Sequence, residues 1–497
     1  MVEVARVAAA ATPEAIGIVH LGLGAFHRAH QAVYLQRCLN DSDGDSEAGK
    51  WGVCSANIRS NQALVDQLSA ADYRYHVAEY TDSEHVTLRE IDVIREALFT
   101  GQSKSGAWGD DLDALLERMI SSDTRIVTLT VTEKGYYLSP AEGRLREDDA
   151  AIAADIAHPE QPRTAPGLIV CALRRRRAQG LAPFTVLSCD NMPDNGQRTR
   201  AAVIQLAACQ DAALAEWIEA NVAFPSSMVD RIVPAMTEAS FTQLRELGCN
   251  DAAAVVCEAF SQWVVEDNFP QGRPAWEHVG VEMVDDVRPF ETMKLRMLNG
   301  SHSLLAYVGS MAGFETVAEA IADPDMAGFI RRYMMKEATP TLAMPVGVDV
   351  GGYAEQLVAR FANDSLKHRL QQIAMDGSQK LPQRWLHGAE QCLSEGHSID
   401  CTALGVAAWI RYTQGVGPTG ETVEVSDPLH ETYAQLHAAH GDDAQALVTA
   451  FLALHDIFPA RLVAREDFAQ AVMDAYRELG DRELINQRVR RAVARRT

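Results

Sequence analysis

The stretch "IGIVHLGLGAFHRAHQAVYLQRCL", residues 16–39, does most to limit how this chain can fold. A short apolar run gives way to Gly22 and Gly24, and a helical pattern follows at once. Strand, glycine turn and helix in that order open a dinucleotide-binding βαβ unit. In G-x-G-x-x-H the first glycine permits the tight turn. The second lets the backbone approach a pyrophosphate at the positive end of the next helix. His27 stands where the third glycine of this fingerprint usually lies. A plain strand-to-helix turn would account for the glycines alone; the strand before and the helix after favour nucleotide binding.

The pattern continues along the first half of the chain. "WGVCSANI" (51–58) reads as a second strand, but no acidic residue for an adenosine ribose follows it. Arg59 stands there instead, able to meet a 2′-phosphate or, equally, to stack on an adenine. "TRIVTLTVTEKGYY" (124–137) is a β-branched strand ending in a polar turn. "FTVLSCDNMPDNG" (184–196) is a strand running into a turn-rich loop. "ALRRRRAQG" (172–180) is a helix end stopped by Gly180, its four arginines assigned to solvent. Residues 42–50 read as a polar loop, and "MVEVARVAAAATPEA" as a disordered or loosely docked lead-in. Expected cofactor positions are Gly22, Gly24, Ala25, Phe26, Arg59, Thr132 and Glu133.

Strands alternating with helices predict a parallel α/β sheet. Past about residue 285 the β-branched runs stop, and "SLLAYVGSMAG", "AGFIRRYMMKEA" and "LGVAAWIRYTQG" show helical periodicity. The expected fold class is therefore α/β. Residues 1–285 form a Rossmann-type domain and residues 286–497 a mainly α-helical one, with the active site in the cleft between them. A chain of 497 residues exceeds one ordinary core, which agrees with two domains. The net charge of -23 argues against nucleic acid and anionic membrane as partners. No apolar run is long enough to span a bilayer. Nine scattered cysteines without C-x-x-C or zinc spacing fit the reducing cytoplasm, and no metal site is expected. The arginine-rich tail 488–496 reads as a surface helix.

The second domain opens with "MKLRMLNGSHS" (293–303), an apolar segment carrying Lys294, Asn299 and His302. On an ideal helix, His302 falls about 80° and Asn299 about 140° from Lys294. Taken singly, a lysine snorkels, a histidine is satisfied in the core, and an Asn before Gly caps a helix. Three on one arc beside a domain boundary point instead to a pocket edge. Hydride transfer at a secondary alcohol requires a base for the hydroxyl proton. A lysine serves if burial lowers its pKa from ~10.4 to roughly 7–8. Amide donors then stabilise the developing alkoxide, Asn299 being one candidate and Asn191, after a strand end, the other.

The motifs "IVHLGLGAFHRAHQA", "TVTEKGY", "SCDN-x-P-x-NG", "FPSSMVDRIVP", "KLRMLNGSHS" and "DGSQKLPQR" together resemble the polyol-specific long-chain dehydrogenase/reductase, or mannitol dehydrogenase, family across roughly residues 16–415. The resemblance implies a zinc-independent, NAD(P)-dependent oxidoreductase. Lys294 matches its catalytic lysine, Asn191 and Asn299 its oxyanion asparagines, and His302 its substrate histidine. Asp230 and Lys380 match substrate contacts, and Glu291 a glutamate on the proton's exit route.

"VEDNF-x-x-GRP-x-W" and "ALGVAAWIRYTQGV" are closest to the D-mannonate oxidoreductase (fructuronate reductase) branch, with Gln372 where mannitol dehydrogenases tend to carry arginine. Arg231, His368, Arg369, Lys380 and Arg384 are candidate partners for a substrate carboxylate. The expected activity is interconversion of D-fructuronate and D-mannonate with NAD, NADP remaining open. The partner is a small sugar acid or polyol, and the protein a monomer or small homo-oligomer. The alternatives are a mannitol, arabinitol or sorbitol dehydrogenase, an epimerase with tightly held NAD, and a non-catalytic NAD-binding sensor.

Overall fold

The computed structural model describes residues 2–42, 47–103, 105–139, 143–365, 367–441, 443–479 and 489–490. The chain divides into two compact units, Met1–Arg288 and Pro289–Thr497.

Five parallel strands form the central sheet of the first unit: β1 (Ile16–Leu21), β2 (Gly52–Asn57), β3 (Ile94–Phe99), β4 (Ile126–Leu129) and β5 (Thr185–Ser188). Their order is β3-β2-β1-β4-β5, the doubly wound order in which ligands bind where the strand order reverses, here between β1 and β4. Both faces of the sheet are covered. Val19, Leu21, Val127 and Val186 pack under the helices Leu112–Ile120, Ala165–Ala178 and Asn195–Gln210, while Ile18, Val53, Ile126 and Leu187 pack against Gln31–Asn40 and Gln62–Ala70. Burial on both faces explains the continuous apolar runs.

Two further sheets belong to this unit and were not anticipated. One has four strands, Glu3–Val7, His85–Ile91, Tyr75–Tyr80 and Val255–Glu258; the other has three, Glu282–Val284, Gln262–Glu266 and Ser227–Asp230. The first sheet corrects the reading of the N-terminus as a loose lead-in. Glu3–Val7 pairs in parallel with His85–Ile91, Val4 opposite Val86. Val2 and Val4 pack against a cluster containing Tyr80, Leu88 and Leu244, and Arg6 donates to the Leu247 carbonyl at 2.7 Å.

A second correction concerns the arginine run. Arg174 and Arg175 pair with Glu160, but Arg176 is 1% exposed. Its guanidinium donates to the carbonyls of Met119, Ser121, Thr124 and Ala182, a buried cation satisfied by loop ends. Gly180, at φ +70, ends that helix.

The second unit is helical among its described residues, with Pro324–Tyr333, Val350–Phe361, Asp400–Tyr412, Ala444–Leu452 and Glu466–Glu478 as main elements. Trp385, Trp409, Tyr307, Leu404 and Phe451 lie in its core. Residues 43–46 of the polar loop, and the arginine-rich tail apart from Val489 and Arg490, lie outside the described residues. No helix among the described residues is long and apolar enough to cross a membrane. All nine cysteines are free thiols, seven of them buried.

Candidate active site

At the end of β1, Gly22 adopts φ +110, a conformation that L side chains avoid. A Cβ there would also collide with the carbonyl oxygen of Thr130, at the end of β4. The glycine is thus required twice, by its backbone angle and by the approach of the neighbouring strand. Its amide donates to the Ala56 carbonyl at 2.8 Å, which ties the turn to β2. Gly24 then caps the short helix Ala25–Ala29. Here the structure differs from the expected single helix: the chain breaks at His30 and resumes as Gln31–Asn40.

Gly22, Gly24, Ala25 and Phe26 are all partly exposed. His27 is buried, stacked flat on His20 with ring centroids 3.5 Å apart, and within 3.0 Å of the Ser55 hydroxyl. The missing third glycine is therefore replaced by a packed imidazole. Arg59 is exposed beyond β2, and the Asn57 amide donates to the Asn61 carbonyl at 3.2 Å.

Sequence reasoning missed the group that joins the loops after β4 and β5. The Asp190 carboxylate accepts the Val131 amide at 3.0 Å, the Thr132 amide at 2.8 Å and the Tyr136 hydroxyl at 2.6 Å. Burial raises its pKa, and these donors oppose the rise. They also hold Thr132 at φ +63, a costly angle for a β-branched residue. Asn191, next in the chain, is exposed at this C-terminal edge of the sheet. Four residues on, Asn195 is fully buried, and its amide bonds the Asp190 carbonyl at 3.0 Å and both backbone polar groups of Ser227. The only sequence signal for Asp190 and Asn195 was their position in a strand-end loop rich in Asp and Asn. Glu133 is exposed and pairs with Arg198 at 3.3 Å. Asp230 is buried at the end of its strand, opposite Gln262.

Arg231 is a correction. Its side chain is wholly buried, pairs with Glu79 at 2.6 Å, and donates to the carbonyls of Ala29 and Glu258. Glu79 also meets Arg89 and Arg37. Burial alone would raise the Glu79 pKa, but the three guanidiniums outweigh it and hold it low. Arg231 is committed to this cluster and is removed from the carboxylate candidates.

In the second unit, Arg288–Met293 runs into a π-helical segment, Lys294–Asn299, then an α turn, Gly300–Leu304, and a second π segment, Leu305–Gly309. The rod continues through Asn299, so that residue is not a helix cap. The Gly300 amide reaches the Leu295 carbonyl, five residues back. Such a bond widens the turn by one residue, so positions five apart stack on one side. Asn299 therefore lies closer to the Lys294 face than an ideal α-helix would put it. Outside donors satisfy the loosened carbonyls: the Tyr333 hydroxyl on Arg296 at 2.9 Å, Arg384 on Asn299 at 3.3 Å, and the Trp385 indole on Gly300 at 3.0 Å.

Lys294 is 8% exposed, while Glu291, Asn299 and His302 are half-buried. The His302 ring packs against Phe361 at 4.7 Å and His368 at 5.4 Å. Burial, then His368, Arg360 and Arg384, push its pKa well below the usual value. A neutral imidazole results, able to donate to or accept from a hydroxyl. Lys380 donates to the carbonyls of Ile373 and Met375, and burial followed by Arg384 lowers its pKa. Gln372 and Arg369 are exposed, and Arg369 lines a groove with Phe314, Tyr412 and Thr422. Of the cationic candidates, the structure brings His368 and Arg384 to His302. Among the described residues, no three His, Cys, Asp or Glu side chains gather as a metal site.

Two domain models account for most of the chain: the mannitol dehydrogenase Rossmann domain over residues 16–278 and the mannitol dehydrogenase C-terminal domain over residues 286–480. D-mannonate oxidoreductase of Escherichia coli (strain K12) is 46% identical over 94% of this chain and 93% of its own length. The uncharacterized oxidoreductase YeiQ of the same strain is also 46% identical, over 93% of this chain and 92% of its own. Among solved structures, Pseudomonas fluorescens mannitol 2-dehydrogenase in ternary complex with NAD and D-mannitol matches with TM-score 0.76 and 36% identity, over 99% of this chain and 97% of that one.

Proposed function

The chain belongs to the mannitol dehydrogenase family, and from that premise we propose that it reduces D-fructuronate to D-mannonate, and the reverse, in the cytoplasm with NAD(H). At the coarser level it is a dehydrogenase acting on a CH–OH group of a polyol or sugar acid. The observation that carries the finer reading is the rod of the second unit. It presents a buried lysine, an amide and a neutral histidine along one segment, with cations beside the histidine.

The coenzyme fits the turn after β1, where Gly22 leaves a backbone cradle that a side chain would fill. Bound there, it supplies or accepts a hydride. The protein's own groups do the rest. Lys294, buried at the start of the π segment, exchanges the hydroxyl proton as general acid/base. The amides of Asn299 and Asn191 stabilise the developing alkoxide without adding charge. His302 orients a substrate hydroxyl, with Asp230 and Lys380 as further contacts, and Glu291 passes the proton to water. No metal is needed in this scheme. Arg360 and Arg384 make the surroundings of His302 electropositive, which suits a carboxylate and supports the sugar acid over a neutral polyol. Arg59 keeps NADP open as a second coenzyme.

Following NADH consumption with fructuronate and fructose at matched concentrations tests this. A charge-assisted contact contributes ~1.5–3 kcal/mol, so fructuronate should lead by roughly ten- to a hundredfold in kcat/KM. Equal or better turnover of fructose would move the chain to the mannitol dehydrogenases. Lys294→Ala should lower kcat by ~10²–10⁴ while NADH still binds.

A further inference from the structure

A buried row of polar side chains crosses the sheet directly beneath the glycine turn. Ser55 on β2, His20 on β1 and Thr128 on β4 occupy one register line. All three are at most 3% exposed, in strands whose other residues are largely apolar. A buried polar group is costly unless it is hydrogen-bonded, so the row requires a reason.

Its bonds converge on one atom. The His20 Nε2 lies 3.1 Å from the Gly22 carbonyl oxygen and 2.9 Å from the Thr130 hydroxyl. That hydroxyl in turn donates to the same carbonyl at 2.8 Å. A carbonyl can only accept, so Nε2 carries the proton. Nδ1 is then the acceptor for the Thr128 hydroxyl, 2.7 Å away. Every polar atom of the His20 ring is thereby assigned. From the other side His27 lies flat on the ring, nearly parallel at 8°, and is itself held 3.0 Å from Ser55. His20 cannot rotate without breaking both contacts. Burial keeps both rings neutral, which the stack demands.

We propose that His20 is a positioning residue for the dinucleotide, fixing the Gly22–Leu23 peptide plane through the Gly22 carbonyl. That plane decides where the chain enters the next helix. It also fixes the backbone cradle at Gly22–Gly24, the close approach that a pyrophosphate needs in a fold of this kind. Gly22 has unusual conformational freedom, so the turn needs an outside constraint to hold one geometry. His20 and Thr130 supply it from below while the exposed side stays open for the ligand. This inference rests on the coenzyme reading given above.

The test compares His20→Leu, which removes both ring nitrogens, with His20→Gln, whose amide keeps a donor. Each is assayed in the full-length protein by NADH fluorescence titration, steady-state kinetics and thermal unfolding. His20→Leu should raise the NADH Kd and KM about three- to tenfold, as expected for one lost net hydrogen bond, with kcat at saturating NADH within about twofold of the parent. His20→Gln should recover most of the loss. Should His20→Leu fail to fold, Thr130→Val removes the second donor to the same carbonyl and should give the same KM-only effect. Unchanged NADH affinity in these variants, or kcat falling in step with affinity, would overturn the inference. A parent protein that binds no NADH would instead overturn the coenzyme reading itself.

Discussion

Gly300 offers a sharp test of how the rod that carries Lys294, Asn299 and His302 is held. Its dihedrals, φ -62 and ψ -46, are those of ordinary helix. By propensity alone, Gly300→Ala should stabilise the rod by roughly 1 kcal/mol. Packing opposes this. A Cβ would sit 3.0 Å from Cζ and 3.1 Å from Cε1 of Tyr333, and closer still to its hydroxyl. The ring cannot retreat, because Tyr333 is 3% exposed and its hydroxyl donates to Arg296 at 2.9 Å. Overpacking of this kind costs about 1–3 kcal/mol, and losing the hydroxyl bond adds about 0.5–1.5. The clash outweighs the propensity gain, for a net destabilisation of about 1–3 kcal/mol. Asn299 and His302 flank the site, so a displaced rod should also lower kcat/KM, where 1 Å of misplacement can cost ~10²-fold. Urea unfolding and steady-state kinetics on Gly300→Ala read both effects. Adding Tyr333→Phe removes the nearest atom, so the double variant should be more stable than the sum of the singles by about 1 kcal/mol. An alanine variant as stable and active as the parent would show that the close approach constrains nothing.

Two further outcomes are expected. Asn299→Ala should lower kcat by ~10²–10³ with little change in NADH affinity; a loss confined to KM would remove Asn299 from alkoxide stabilisation. Burial raises the Glu337 pKa from 4.5 to about 7, against the donors Cys401 and Thr402. The folded state therefore holds a proton that the unfolded chain releases. This group's contribution to stability is full below about pH 4.5 and is lost as pH rises through about 7. Glu337→Gln should flatten that slope in urea midpoints between pH 5 and 8, and a parallel pair of curves would refute the assignment.

How much was legible depended on whether the cause was local. The strand, glycine turn and helix at 16–39 could be read because a parallel strand buried on both faces shows as one apolar run. The break at His30 could not, since its ring binds the Gln262 carbonyl at 3.0 Å, far off in the chain. Glu3–Val7 looked loose because its partner strand starts at His85. In the run 174–177 all four arginines look alike; only the tertiary arrangement of carbonyls around Arg176 distinguishes it. Likewise, Arg231 looked available until Glu79 was found beside it. The polar residues of "MKLRMLNGSHS" stood out against their apolar neighbours. The π segment that changes their spacing did not, because it depends on donors from Tyr333, Arg384 and Trp385.

The seven buried cysteines have a practical consequence. Cys54, Cys171, Cys189, Cys249 and Cys257 lie in the first unit, Cys392 and Cys401 in the second. Burial raises the pKa of thiols such as Cys54 and Cys401 well above the ordinary value, so in the closed structure they are neither reached nor ionised. A thiol-reactive reagent modifies them only during local opening. Each unit thus carries native reporters of its own breathing, and the order in which the seven react ranks the unit interiors by how often they open, with no introduced label.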